Sequence, residues 1–360
     1  MLRRSPIVLS STLILVLLGV SLGRSPTQRK KTEEPKTQVL PLPPELPKAL
    51  VTETEGLDFH ISPLLRTGGL SAQIRRSLSD LIRDTHGETI IRLRAFVAGA
   101  GDARRIEAET ANLFTERKLP LPVLSVLQIG ALGQEAAQVV IEAVVATHRS
   151  VNPNGLAFYS GQTGASFEQA LDHLKASVSA SGVPPEHVLT STCFTSQIAN
   201  NDTARALVQS VFPNTAINIV QAVRDPASDE SMCEAIGQLS QAPADGPVVL
   251  LKKSRVTLVN SHELIFTWLQ LSFGSFLDDA HEAFVRLRQS ASALQPINAP
   301  VEVNAFTLDG YTASALRKTT SFPPSAFTAQ LVEGLPAIDA SGGVEAVLAA
   351  KIAEPVTVSR

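Results

Sequence analysis

The chain has 360 residues, of which 44 % are hydrophobic and 18 % charged, so it is long and apolar enough for two or three globular domains. Its net charge is −3, and one Trp and two Tyr provide no platform for stacking bases, which argues against a nucleic-acid partner.

Two cysteines without a Cys-x-x-Cys motif exclude a disulfide framework. We interpret Cys193 and Cys233 as small buried strand residues, in preference to a disulfide or a nucleophile. The seven histidines contain no pair at metal-ligand spacing, so the sequence predicts neither a metal nor a cofactor.

Residues 1–23 have the features of a signal peptide or a membrane anchor. Arg3 and Arg4 precede a largely apolar run at 7–22, and Ser-Leu-Gly at 21–23 offers a cleavage site. Basic residues follow the run and oppose translocation, so an uncleaved anchor is the alternative to cleavage. We expect export to the periplasm or the medium, or anchoring by residues 7–22, and no other contact with a membrane. Residues 24–56 are rich in proline and predict an extended linker.

The first of three similar segments spans residues 57–148. An apolar stripe predicts a long amphipathic helix, and its residues are Ile74, Leu78, Leu81 and Ile82. A strand centred on Phe96 follows, then a short helix, Pro122 and a closing strand that reads Ile-Glu-Ala-Val at 141–144.

The second segment, residues 149–245, repeats this order of elements. Its long helix begins at a capping box formed by Ser166 and Gln169 and ends at Gly182. A strand centred on Phe194, a short helix and Pro213 follow, and the closing strand reads Cys-Glu-Ala-Ile at 233–236.

The third segment, residues 246–360, has a helical stripe around Leu287, a strand centred on Phe306, then Pro323 and a closing Val-Glu-Ala-Val at 344–347. The proline lies 20, 21 and 22 residues before the repeated glutamate in the three segments. The central leucine of the long helix lies 18, 20 and 19 residues before the phenylalanine. Because two independent spacings agree, the sequence predicts three tandem copies of one α/β (α+β) unit.

The repeated glutamates predict how the copies associate. A helix with one apolar face covers one face of a sheet, so the other face requires a partner that the neighbouring copies supply around a pseudo-threefold axis. Alternation along the closing strand places Glu142 opposite Ile141 and Ala143. A buried glutamate needs a cationic or hydrogen-bonding partner, so we expect Glu142, Glu234 and Glu345 at the seams between copies or at a solvated centre.

With these motifs the chain resembles the reactive-intermediate deaminase (RidA/YjgF) family. The second copy is the most similar, through Phe-Tyr-Ser-Gly-Gln at 158–162, the helix at 169–182, the strand at 188–195, the proline-led segment at 213–219 and the closing strand at 233–236. The third copy diverges most. The resemblance spans nearly all of residues 57–351 and implies a RidA-like (chorismate-mutase-like) fold in each copy, with clefts between copies as in the family's homotrimers. It therefore implies a monomer that acts as a covalent pseudo-trimer.

The family's catalytic groups are lost in all three copies. Active members use an Arg two residues after the proline to bind a carboxylate, and a Glu two residues before the repeated glutamate to help water attack an imine. We place the first position at Leu124, Thr215 and Ser325 or Ala326, and the second at Val140, Met232 and Gly343. Three other arginines could replace the missing one, although each is more typical of a solvated charge or a seam salt bridge: Arg94, Arg224 and Arg317.

The resemblance and these losses favour a non-catalytic or weakly catalytic exported protein, a pseudoenzyme that binds a small metabolite between copies. The candidate ligand-binding residues are Ser160, Gln162, Asn214, Thr215 and Glu234, with residues 161–164 interpreted as a turn after a strand. No catalytic residue is assigned, and whether the protein is an enzyme stays open. The alternatives are a divergent imine or enamine deaminase with replacement residues, and a structural or assembly module.

Overall fold

A computed structural model describes residues 42–99, 101–149, 153–198, 201–224, 230–274, 276–294, 296–320 and 326–350. The predicted leader at 1–23 and most of the predicted linker lie outside the described residues. Among the residues that are described, no helix is long and apolar enough to cross a bilayer.

The described elements follow the order that the sequence predicts, with strands and helices alternating in a mixed α+β fold. Those before residue 150 are β1 (Ala49–Glu53), β2 (Leu57–Ile61), α1 (Leu70–Asp84), β3 (Thr89–Ala98), α2 (Arg104–Glu116), β4 (Val123–Ile129), β5 (Ala131–Leu132) and β6 (Val139–Ala146). Those at 153–245 are β7 (Leu156–Gly164), α3 (Phe167–Ala180), β8 (Val188–Thr195), α4 (Asn201–Val211), β9 (Ala216–Gln221) and β10 (Ser231–Gln238). Those after residue 245 are β11 (Val248–Leu251), β12 (Val256–Val259), β13 (Glu263–Thr267), β14 (Gln270–Ser272), α5 (Leu277–Ser292), β15 (Pro296–Thr307), α6 (Gly310–Thr319), β16 (Ala326–Leu331) and β17 (Gly342–Ala350).

The strands form three sheets that share a four-strand order. The orders are β2-β6-β3-β4 in the first sheet, β7-β10-β8-β9 within the second and β13-β17-β15-β16 within the third. In each, the last pair is parallel and the other pairs are antiparallel. The register is also shared, since Phe96, Phe194 and Phe306 pair with Val140, Met232 and Gly343 on the closing strands.

Each sheet carries two helices on its outer face. Ile74 and Leu78 of α1 pack with Ile106 of α2 against the first sheet, as the apolar stripe predicts. The helix α3 begins as expected, because the Ser166 side chain accepts a hydrogen bond from the Gln169 backbone N–H at 3.3 Å. The helix α6 was not predicted, and it is capped by Asp309, which accepts from the backbone N–H groups of the first turn.

The inner faces of the three sheets pack on one another in two apolar clusters. One cluster contains Leu57, Phe158 and Phe266, one residue from each sheet, and the other contains the three repeated phenylalanines. On β6, Val144 belongs to the first cluster and Val140 to the second, so Glu142 lies between them on the same face. A polar layer thus separates two apolar layers in the interior.

Two edge strands pair with the sheet of a segment other than the one that the predicted boundaries give them. The predicted linker at 24–56 includes β1, which pairs with β13 of the third sheet, and Leu46 is buried against the first sheet's core. The predicted boundary between residues 245 and 246 assigns β12 to the third segment, yet β12 pairs with β7 of the second sheet. Local sequence pattern specifies a strand but not the edge that it joins.

Candidate functional site

The three repeated glutamates meet at one arginine in the polar layer. The Arg94 guanidinium donates to Glu142 Oε2 at 2.6 Å, to Glu234 Oε1 at 3.0 Å and to Glu345 Oε1 at 3.4 Å. Glu345 is fully buried and the Arg94 side chain is 8 % exposed. Each carboxylate comes from a different sheet, so Arg94 links all three sheets through charge-assisted hydrogen bonds.

Each repeated glutamate also receives a polar side chain from the parallel strand of another sheet. Ser125 on β4 donates to Glu345, and Asn218 on β9 donates to Glu142 at 2.9 Å. The Thr328 hydroxyl on β16 lies beside Glu234 and acts to lower the pKa of that carboxyl. These donors occupy the same register position, opposite Arg94, Thr192 and Asn304 on the Phe strands. The contacts therefore run in a cycle through the three sheets.

The charges of this layer are not balanced when every group is ionised. Arg92 and Arg94 are the two cations, while Glu142, Glu234, Glu302 and Glu345 are four carboxyl groups, which leaves an excess of two negative charges. Burial, together with the Glu234 charge, raises the pKa of Glu302 to about 8. Burial also raises the pKa of Glu234 against the opposing effect of Arg94. At neutral pH the layer thus retains protons that a solvated carboxylate would lose.

Glu142 is ionised and anchors the arginine. Burial acts to raise its pKa, but the Arg94 charge and hydrogen bonds from Arg94, Thr192 and Asn218 outweigh burial and lower it. Burial likewise acts to lower the pKa of Arg94, and the three glutamates hold it well above its usual value. The pair therefore persists as an ion pair throughout the neutral range.

The space beside this layer is too small for a metabolite. A cavity of about 40 Å³ is bordered by His60, Arg92, Glu142, Glu234 and Glu302. By this measure a water molecule requires about 10–15 Å³, whereas pockets for organic ligands span about 300–1,000 Å³. The polar layer therefore acts as a junction between sheets, and it can hold a few water molecules.

The strand register relates equivalent positions of the three sheets to one another. Ser125, Asn218 and Thr328 are equivalent in the sheets, and counting back five residues gives Pro120, Pro213 and Pro323. By this count Pro120, and not Pro122, corresponds to Pro213 and Pro323. Leu124 packs into the first sheet's outer core. Val140, Met232 and Gly343 correspond to one another, because each pairs with a repeated phenylalanine.

Three of the predicted ligand-binding residues lie together at an irregularity in β7. Residues 161–164 belong to this strand, so the predicted turn is wrong. The register shifts at Glu234, between Cys233 and Ala235 of β10, where Ser160 and Gly161 of β7 lie opposite this one residue and Gln162 pairs with Cys233. Ser160 and Gln162 are both buried, and Gln162 Nε2 donates to the Ser160 carbonyl oxygen at 2.8 Å.

The other two predicted ligand-binding residues lie elsewhere. Asn214 is exposed and donates to the Glu186 carbonyl oxygen at 3.2 Å, and Thr215 is buried at the start of β9. Two strands, β10 and β8, separate β9 from β7. At about 4.8 Å per strand, this places Asn214 and Thr215 roughly 14 Å from β7 across the sheet. Asn214 and Thr215 therefore lie apart from Ser160 and Gln162 across this sheet.

The seam between the second and third sheets passes directly over the β7 irregularity. The Gly161 N–H donates to Thr328 Oγ1 of β16 at 2.6 Å, and the Arg255 guanidinium donates to the Gly161 carbonyl oxygen. Sequence reasoning missed Arg255, which follows Lys-Lys-Ser in the turn between β11 and β12. The sequence shows that this turn is basic, but the contact of Arg255 with Gly161 depends on the pairing of β12 with β7.

The three arginines proposed as replacements make different contacts. Arg94 forms ion pairs within the polar layer, and Arg224 forms an ion pair with Glu333 at 3.3 Å. Arg317 lies on α6 with its guanidinium 5.2 Å from the centre of the Phe327 ring, which packs against the third sheet's outer core. Within the described residues there is no group of three or more His, Cys, Asp or Glu that could hold a metal ion.

The two cysteines form a disulfide. Cys193 on β8 and Cys233 on β10 are directly paired across the strands, and both are fully buried. The interpretation of both residues as buried strand residues is confirmed, and the preference for unbonded thiols is wrong. Sequence alone could not reveal that their strands are adjacent and in register.

No protein-family model matches the chain, and no curated protein does. Among solved structures, a chorismatase matches 82 % of this chain and 99 % of its own chain, at 11 % identity and a TM-score of 0.24. A cyanuric acid hydrolase matches 82 % of this chain and 100 % of its own, at 13 % identity and a TM-score of 0.22. Phosphoribosylformylglycinamidine synthase II from Thermotoga maritima matches 84 % of this chain and 75 % of its own, at 12 % identity and a TM-score of 0.29. At these TM-scores the likenesses support no conclusion about this chain.

Proposed function

We propose that the chain is a covalent pseudo-trimer of three RidA-like units, and that it binds a small metabolite between units without deaminating it. The common strand order and register of the three sheets support the repeat, since three unrelated sheets would not share both. The cyclic contacts of the polar layer support a pseudo-threefold arrangement, because each repeated glutamate contacts a polar side chain on the parallel strand of another sheet. The inner sheet faces are already covered, which favours a monomer.

The observation that carries the non-catalytic proposal is the chemistry at the six family positions. If Pro120, Pro213 and Pro323 are the matching prolines, the family's arginine corresponds by sequence to Pro122, Thr215 and Ser325, and its glutamate to Val140, Met232 and Gly343. None of these side chains is ionisable, so none can bind a carboxylate through an ion pair or activate water. The loss of a charge-assisted contact alone costs about 1.5–3 kcal/mol of binding free energy.

The seam between the second and third units is the site that we favour for the ligand. It has Ser160, Gly161 and Gln162 on one side and Thr328 on the other, and the Arg255 guanidinium donates to the Gly161 carbonyl oxygen. The buried disulfide favours export, because such bonds persist in oxidising compartments. The export proposal also depends on residues 7–22, which lie outside the described residues.

The test is a hydrolysis assay with 2-iminobutyrate on the full chain, with an active single-domain family member as the positive control. We expect no ammonia release above the uncatalysed rate, together with an increase in melting temperature when small metabolites are added. Turnover that is abolished by Glu234→Gln would instead establish a deaminase with replacement residues. If no metabolite changes the melting temperature and a protein partner is captured stably, the assembly role replaces the binding role.

A further inference from the structure

Large apolar side chains are exposed at one end of the third sheet. Ser272 at the end of β14 and Thr307 at the end of β15 both pair with Gly342 at the start of β17. The next residues, Phe273 and Leu308, therefore leave the sheet on either side of β17, about 10 Å apart at two strand spacings. Their side chains are 52 % and 41 % exposed.

The helices α5 and α6 begin at the same end and present three more exposed side chains. Phe276, the residue before α5, is 77 % exposed, and Leu277, the first residue of α5, is 52 % exposed. Tyr311, the second residue of α6, is 84 % exposed. These residues and the two at the strand ends form a surface that we call the apolar end of the third unit: Phe273, Phe276, Leu277, Leu308 and Tyr311.

The fold does not require apolar residues at these positions. The residue before the long helix is Gly69 in the first unit and Ser166 in the second, whereas the third unit has a phenylalanine. The second residue of the short helix is Arg105 in the first unit and Asp202 in the second, whereas the third unit has a tyrosine. At roughly 200 Å² for each aromatic side chain, the three exposed rings alone present about 400 Å² to solvent. Apolar patches of about 300–600 Å² are the largest on a typical monomer and are often functional.

Aspartates border the apolar end. Asp278 and Asp279 follow directly after Leu277, and Asp309 follows Leu308. The loops at 273–279 and 308–311 contain no Lys or Arg. The surface is therefore both apolar and anionic.

The apolar end already contacts one guanidinium group of its own chain. Arg286 of α5 lies 5.8 Å from the centre of the Phe273 ring. Its charge is balanced by Glu282, at 3.9 Å, so it does not neutralise the aspartates. The contact shows that an aromatic ring of this surface accepts a cation over its face.

We propose that the apolar end is a docking surface for a segment of a partner protein that carries both apolar and basic side chains. The apolar area supplies the driving force, and the aspartates select lysine and arginine at the border. A second copy of this chain is a poor occupant, because a symmetric contact would place the same aspartates against each other. The surface lies apart from the seam at Gly161, so the proposal does not depend on metabolite binding.

Fluorescence anisotropy tests the proposal on the full chain, with two labelled synthetic peptides of equal length. In one peptide leucine alternates with lysine, and in the other leucine alternates with glutamate. We expect the leucine-lysine peptide to bind with an affinity that falls as salt is added, and the leucine-glutamate peptide not to bind.

Three variants and a matched control locate the binding. Phe276→Ser and Tyr311→Ser should each weaken binding of the leucine-lysine peptide about tenfold or more. Asp278→Asn removes an exposed charge and should weaken binding up to about fivefold. The control is Leu42→Ser, which removes an apolar side chain that is 92 % exposed outside the apolar end, and it should change the affinity less than about twofold.

The proposal is refuted if the leucine-lysine peptide does not bind, or if it binds Phe276→Ser and Tyr311→Ser as tightly as the parent. Both side chains are exposed, and serine is a favoured residue before a helix, so Phe276→Ser preserves the fold. Sedimentation velocity and flotation with phosphatidylcholine vesicles examine the other occupants. A dimer that Phe276→Ser dissociates would show that a second copy covers the surface, and vesicle binding that this variant loses would show a lipid surface; either result would overturn the proposal.

Discussion

Glu302 is the residue whose replacement tests the polar layer most directly. It is buried at the cavity beside Arg92 and Arg94, and its pKa is raised to about 8 from an ordinary value of 4.5. Below pH 4.5 the carboxyl is protonated in both the folded and the unfolded state, so it creates no pH dependence. Between pH 4.5 and 8 the unfolded state loses the proton and the folded state keeps it, so the free energy of unfolding falls as the pH rises.

The size of this effect follows from the two pKa values. At pH 7 the difference of about 2.5 pH units corresponds to about 3 kcal/mol, at 1.36 kcal/mol per unit, and above pH 8 the penalty levels off near 5 kcal/mol. Glu302→Gln keeps the shape of the side chain and removes the titration. We therefore expect the variant to be more stable than the parent by up to about 3 kcal/mol at pH 7, with the difference vanishing at pH 4.

Urea denaturation of both proteins at pH 4, 5, 7 and 9 measures this difference. Glu53→Gln, at the exposed end of β1, is the control and should keep the pH profile of the parent. The reasoning is refuted if Glu302→Gln and the parent lose stability in parallel as the pH rises, because Glu302 would then titrate alike in the folded and unfolded states.

Two further substitutions test what holds the sheets together. Arg94→Met leaves three carboxylates of the polar layer without their shared cation, so we expect the free energy of unfolding, measured by urea denaturation, to fall by about 3–5 kcal/mol. The control is Arg224→Met, which removes the cation of a more exposed pair and should lower the same free energy by less than about 1 kcal/mol. Equal losses in the two variants would show that Arg94 does not link the three sheets. The disulfide joins residues with a sequence separation of 40. Because the bond restricts the unfolded chain, the Cys193→Ala, Cys233→Ala double variant should have a free energy of unfolding about 4 kcal/mol lower than that of the parent. An unchanged denaturation midpoint would contradict a formed disulfide.

The elements themselves could be predicted from the sequence, because their patterns are local. The stripe at Ile74 and Leu78 anticipates α1, and the capping box at Ser166 anticipates the start of α3. The alternation around Glu142 anticipates that it faces away from Ile141 and Ala143, which pack under the helices. The helix α6 escaped prediction, since its apolar face is short and its start depends on a single Asp309 cap.

The assembly of these elements was decided only by the tertiary structure. A period of two fixes the face on which a side chain lies, but it leaves open which strand becomes the neighbour. That choice brings Glu142, Glu234 and Glu345 to one arginine, pairs Cys193 with Cys233, and separates Asn214 from Gln162 by two strands. It also places Arg255 on Gly161, because β12 joins the second sheet and not the third. The sequence determined the order of the elements and the polar face of each closing strand. The contacts between the sheets, and with them the candidate site, depend on pairings between residues that lie far apart in the chain.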